Sequence, residues 1–159
     1  MKNCPFLIAL TGCFKILIGS FFIGVIILSY NLNNLGVKVS KDREINDYYA
    51  TDPKAIYELL KYETFDKNIW EPACGEGNLS KVLKENGYNV YSTDLIDRGF
   101  GDEHFDFLNS NNKWFGDIIT NPPFKYTNEF ILKSLESVSM GNKVAMFLKL
   151  NYLSGQKKI

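Results

Sequence analysis

Apolar and polar positions divide the chain into two regimes. Residues 4–30 form one nearly unbroken apolar block, interrupted by Lys15 and densest over 16–28. From residue 47 onward, helical spacing alternates with short β-branched runs. Ile56, Leu59 and Leu60 share one face through Tyr62, with Pro53 in the first turn and Thr51 or Asp52 as cap, which predicts a helix. Residues 68–72 read as a strand and 73–77 as a glycine turn. Residues 78–86 read as a helix with Leu79, Val82 and Leu83 inward and Gly87 as its stop. A second strand covers 89–93 and ends at Asp94, and residues 100–112 are loop-like. A short buried strand follows at 117–120, entered from Gly116. A helix over 127–138 turns Phe130, Ile131 and Leu135 inward, and a strong strand covers 143–150. Strands alternating with helices predict an α/β fold.

The first block is long enough for a helix that spans a bilayer if Lys15 snorkels, so the pattern predicts an N-terminal hydrophobic helix with membrane contact through residues 4–30. The basic Lys2 also suits a signal peptide. Leu10-Thr11-Gly12-Cys13 resembles a bacterial lipoprotein cleavage box, but the strongest apolar run follows that cysteine, where a mature lipoprotein is polar. A third reading sets residues 1–40 apart as a leader and linker. Residues 31–41 are polar, and Lys41-Asp42-Arg43-Glu44 opens residues 41–159 as a soluble domain.

Eighteen basic and eighteen acidic side chains cancel, so no overall field argues for or against nucleic acid. The three cysteines show neither metal spacing nor a disulfide framework, and the single histidine, His104, offers no metal cluster. Cys74 reads as a small buried filler.

The chemistry concentrates at Asn121-Pro122-Pro123-Phe124. The buried strand stops at Asn121 because neither proline can donate a ladder hydrogen bond, and Pro122 biases Asn121 toward extended backbone. A stiff arm at the carboxyl end of a strand stands where open α/β sheets bind ligands. It offers the Asn121 amide oxygen and the Pro122 carbonyl as two acceptors, and the Phe124 ring as a stacking face. That set suits a planar exocyclic amine. It resembles the catalytic motif of S-adenosylmethionine-dependent amino-methyltransferases, especially DNA adenine-N6 methyltransferases.

Other stretches extend the resemblance over the soluble part of the chain. Glu71-Pro72-Ala73-Cys74-Gly75-Glu76-Gly77 resembles the family's cofactor loop, an acidic residue followed by Gly-x-Gly. A dinucleotide fingerprint would need a third glycine where Ser80 stands. Asp94, at the end of the second strand, is placed to accept from ribose hydroxyls, though a lone Asp there also reads as a cap. Tyr49 and Thr51 lie in a Tyr-x-Thr-x-Pro stretch like the loop that covers the cofactor's methionine end. Asp106 and Phe107 stand where the family meets the cofactor adenine; without the resemblance, they read as an exposed Asp between core phenylalanines.

The resemblance implies a Rossmann-like methyltransferase sheet with its C-terminal strands missing, S-adenosylmethionine as cofactor, no metal, and a cytoplasmic domain that the leader could anchor to a membrane. The implied reaction is methyl transfer to adenine N6 in DNA, with the base flipped out and held by Phe124. The same motif serves enzymes acting on ribosomal RNA bases or a protein glutamine amide. A non-enzyme rival is a truncated, membrane-tethered fragment without activity. Too few residues separate Gly77 from Asn121 to hold a recognition domain, so target contacts are expected beyond Ile159.

Overall fold

The computed structural model describes residues 9–18, 21–30 and 50–149. In chain order the elements are strands β1 (Ala9–Ile18) and β2 (Phe21–Tyr30), helix α1 (Pro53–Tyr62), β3 (Asn68–Glu71), helix α2 (Asn78–Glu85), β4 (Asn89–Asp94), the short β5 (Glu103–His104), β6 (Asp117–Thr120), a 3-10 turn (Phe124–Tyr126), helix α3 (Thr127–Ser137) and β7 (Lys143–Lys149). They build one sheet in the order β1-β2-β7-β6-β3-β4-β5.

The five strands from β3 onward are all parallel, as β-α-β connections require. Their apolar residues alternate between two faces. On one face Ile69, Ile119, Ala145 and Phe147 pack with Ile56 and Leu59 of α1 and Leu79 and Leu83 of α2. On the other face Trp70, Ile118, Val144 and Met146 pack with Phe107 and with Phe130 of α3. Both faces of the sheet are therefore covered by helix, and all four residues of β6 are buried. From residue 53 onward the sequence pattern matches the helices and the strands β3, β4, β6 and β7 to within a few residues at each end, while the short β5 lies in a stretch expected as loop. Of the two cap candidates it is Asp52 that caps α1, accepting from the Lys54 amide at 2.9 Å, and Thr51 is turned to another use.

Asp117 opens β6 and is 2% exposed. Its carboxylate accepts from the Lys143 amide at 2.7 Å, the Asp66 amide at 2.6 Å and Asn142 Nδ2 at 3.2 Å. One side chain thus ties the starts of β6 and β7 to the approach to β3.

The N-terminal block departs from the expected helix. Its residues form two antiparallel strands, with β2 continuing the sheet parallel to β7 from Gly24↔Lys143 to Tyr30↔Lys149. Among the described residues no helix is long and apolar enough to cross a membrane. The physical reason is composition. Ile, Val and Phe favour strands, and a block apolar on every face carries no helical period to oppose them. The free side of β7 supplies unpaired backbone groups for β2 to satisfy. The sheet reaches seven strands with two from the amino-terminal end, where a partial sheet lacking C-terminal strands was expected.

Candidate active site

The strand order places two loops side by side. β3 lies between β4 and β6; the chain runs from β3 outward through β4 and β5 and then crosses back to β6 and β7 on the other side, so the strand order reverses between β3 and β6. At such a switch point the carboxyl ends of neighbouring strands open a crevice. The pairs Ile69↔Asp117 and Trp70↔Ile118 run β3 and β6 side by side and parallel, so the segments that follow them leave the sheet at the same edge. The glycine loop and the Asn-Pro-Pro arm therefore flank one crevice.

The glycine loop is held from below and from the side. Gly75 and Gly77 have φ of 55° and 79°, the left-handed region that side chains disfavour. The Gly75 amide donates to Asp94 Oδ2 at 2.8 Å, and the Ile96 amide donates to Asp94 Oδ1 at 3.0 Å. Asp94 thus anchors the loop. Each of its oxygens retains a further lone pair for a ligand donor. Beneath the loop, Glu71 accepts from the Ser80 hydroxyl, and Ser80 Oγ lies 2.6 Å from Ser92 Oγ. All three side chains are buried. Burial pushes the Glu71 carboxyl up to about 8 against the opposing pull of Ser80, with nearby Asp94 adding to the rise. Burial thus favours the uncharged form of this acid beneath the loop. Burial likewise pushes the Cys74 thiol up to about 12, so this cysteine is a filler and not a nucleophile.

The loop after β4 folds back over the glycines. A Cβ on Gly77 would stand 2.4 Å from the Phe100 ring, so the space left open by that glycine is taken by Phe100. Lys81 and Lys84 of α2 place their ammonium groups 5.1 and 5.4 Å from the same ring centroid. Sequence reasoning missed Phe100, because nothing local distinguishes it from any loop phenylalanine.

The arm begins where β6 ends. Asn121 Nδ2 donates to Thr51 Oγ1 at 3.2 Å, joining residues 70 apart. Pro122 is buried, while Pro123 and Phe124 are half-buried. The Tyr126 amide donates to the Pro123 carbonyl at 2.9 Å, and Thr127 Oγ1 donates to the Phe124 carbonyl at 3.0 Å. These bonds close the 3-10 turn that carries Phe124 into α3.

Two residues of the suggested adenine edge serve the fold. Asp106 accepts from the Leu108 amide at 3.0 Å and from Asn109 Nδ2 at 2.7 Å, a local turn. Phe107 is 3% exposed and sits edge-on to Trp70 at 5.0 Å and against Phe130 at 5.2 Å. It is a core aromatic here, with little surface left for a ligand. Ala73 is half-buried beside the same cluster. Tyr49 lies outside the described residues.

The described residues thus build an open α/β sheet covered by helices on both faces, with a glycine loop and a polar arm at its switch point. No family model matches the chain, and no curated protein matches it either. Among solved structures it is similar to a crystal structure described as a putative RNA methyltransferase from Pyrococcus horikoshii. The TM-score is 0.54 at 19% identity, covering 76% of this chain and 73% of that one. At that identity the likeness speaks for the fold.

Proposed function

We propose that the chain is the core of an S-adenosylmethionine-dependent methyltransferase acting on an exocyclic amine, with adenine N6 in DNA as its target. The observation that carries this reading is the Asn121 amide, fixed by Thr51 at the carboxyl end of β6 beside the glycine loop of β3. The residues suit the cofactor. Asp94 anchors the glycine loop and is placed for the ribose, the left-handed glycines bring backbone to the crevice, and Glu71 supports the loop from its buried position below it. Two points work against the fit: Phe100 occupies the open side of Gly77, and Phe107 is buried in the core.

When bound, S-adenosylmethionine supplies a methyl group made electrophilic by its sulfonium. What this chain must do is prepare the amine, whose lone pair is delocalised into the base. Hydrogen bonds from its two N–H groups to Asn121 Oδ1 and the Pro122 carbonyl favour a more tetrahedral nitrogen, so that the lone pair points out of the ring plane. Phe124 stacks on the base and holds it at that angle. Asn121, the Pro122 carbonyl and Phe124 would thus hold the amine with its lone pair toward the methyl that the cofactor would supply, and the proton the amine gives up would pass to water.

RNA is the second reading, favoured by the description of the structural relative. The test is tritiated methyl transfer from S-adenosylmethionine to DNA, RNA and protein substrates, followed by hydrolysis and chromatography. Label in N6-methyladenine from DNA is expected, and Asn121→Ala should lower the rate by about a hundredfold or more while keeping the fold. Label in RNA or protein alone moves the substrate class. Full activity in Asn121→Ala refutes the mechanism.

A further inference from the structure

We infer that Thr51 is a positioning residue for Asn121, choosing which end of the amide faces the substrate; the inference rests on the amine-transfer reading above. An Asn side chain ends in a soft, two-fold torsion, so its oxygen and nitrogen can exchange places at little cost. For an incoming amine only one orientation works, because two N–H donors need acceptors and an NH2 group would meet them donor to donor. The backbone of the arm fixes where the amide is but not which way it turns. A hydrogen-bond partner for one end of the amide sets the turn.

Thr51 is placed to do so. It is 8% exposed, and its Oγ1 receives the Asn121 Nδ2 donor at 3.2 Å. Its own position is fixed by the start of α1. The next residue, Asp52, caps that helix, Pro53 stiffens the first turn, and Ile56 and Leu59 are buried in the core. The helix therefore carries a hydroxyl to a set point beside the end of β6. With Nδ2 held there, Oδ1 is turned away from Thr51. The role differs from contact with the cofactor's methionine end, which the sequence suggests for the same residue.

Two measurements on the full chain decide the matter. The first needs no turnover. In nitrogen-15 spectra, the Asn121 side-chain NH2 pair is identified by its loss in Asn121→Asp. Thr51→Val should shift that pair and speed its exchange with water, while Thr51→Ser should leave it in place. An unshifted pair in Thr51→Val overturns the inference. The second is kinetic. Thr51→Val should lower kcat by about 10- to 100-fold, as expected for a misplaced group, with the KM for S-adenosylmethionine nearly unchanged and Thr51→Ser restoring the rate. A raised KM with unchanged kcat assigns Thr51 to the cofactor and overturns the inference. Should Thr51→Val fail to fold, Thr51→Ser still decides, because losing the Asn121 signals or kcat in a variant that keeps the hydroxyl overturns it. An inactive Asn121→Ala beside a fully active Thr51→Val defeats this inference alone; a fully active Asn121→Ala defeats the amine-transfer reading itself.

Discussion

Glu71 is a carboxyl that the fold keeps from ionising, and that has a consequence for stability. Its unfolded value is near 4.5 and its folded value about 8, with desolvation as the first cause. Between those values the folded chain holds a proton that the unfolded chain has released. Stability from this group is complete below about pH 4.5 and is lost as pH rises through 8, by up to about 1.4 kcal/mol per pH unit. Urea unfolding from pH 5 to 9 should show that decline, and Glu71→Gln, neutral throughout, should flatten it. Parallel curves for the two proteins would mean that Glu71 ionises as readily as an exposed acid. Asp117 contributes as an acceptor for three donors. Asp117→Ala leaves two backbone amides without that acceptor and should cost about 2–4 kcal/mol, read as a lower denaturation midpoint. Neither role is visible from local sequence, since both depend on partners brought in from other strands. The Asn121 arm was legible because its stiffness comes from the two prolines that follow it.

The glycine loop and α2 show how an element borrows its shape from a neighbour. Gly77 adopts φ 79° at the start of α2 and is covered by Phe100 from the loop after β4. Gly77→Ala meets two penalties: about 1–2 kcal/mol for the left-handed backbone, and the overlap with the ring. Phe100→Ala removes only the second. The double variant should therefore lose less stability than the sum of the single ones, measured as a cycle of unfolding free energies. Strict additivity would show that the ring yields freely. Helices α1, α2 and α3 were readable from spacing because each buries one stripe against the sheet. The place of Phe107 was left between two readings, since an aromatic beside an aspartate suits a ligand face and a core equally well, and its burial against Trp70 and Phe130 is a tertiary contact.

For the molecule as a whole, the open question is what covers β7. Its residues Val144 to Leu148 are buried, and its outer side pairs with β2 over seven residue pairs. The sequence pattern alone suggests that residues 1–40 can be removed without harm. The pairing predicts instead that deleting them turns a strand apolar from Val144 to Leu148 into an open edge, which invites association. Light scattering of the truncated chain should show oligomers, and its thermal transition should fall or broaden. A monomer with an unchanged melt would place the hairpin outside the cooperative fold.

What the sequence by itself determined was local: the strand before the prolines, the glycine turn, the caps and stops of the helices, and the α/β alternation. Each follows from backbone chemistry within a few residues, so a linear reading suffices. The order of strands was different, because adjacency of β3 and β6 is a contact between segments about fifty residues apart, settled by which helix packs on which face. Only that adjacency puts the glycine loop next to Asn121, and only the seating of α1 brings Thr51 to the amide. The apolar block at the start went furthest astray. A segment apolar on all sides fits a helix or a strand equally, and Gly19-Ser20 between its halves is a hairpin signal that reads weakly beside so long a run. In the structure it forms strands because β7 offers backbone donors and acceptors to pair with, and a pairing partner is a property of the fold that no window of sequence contains.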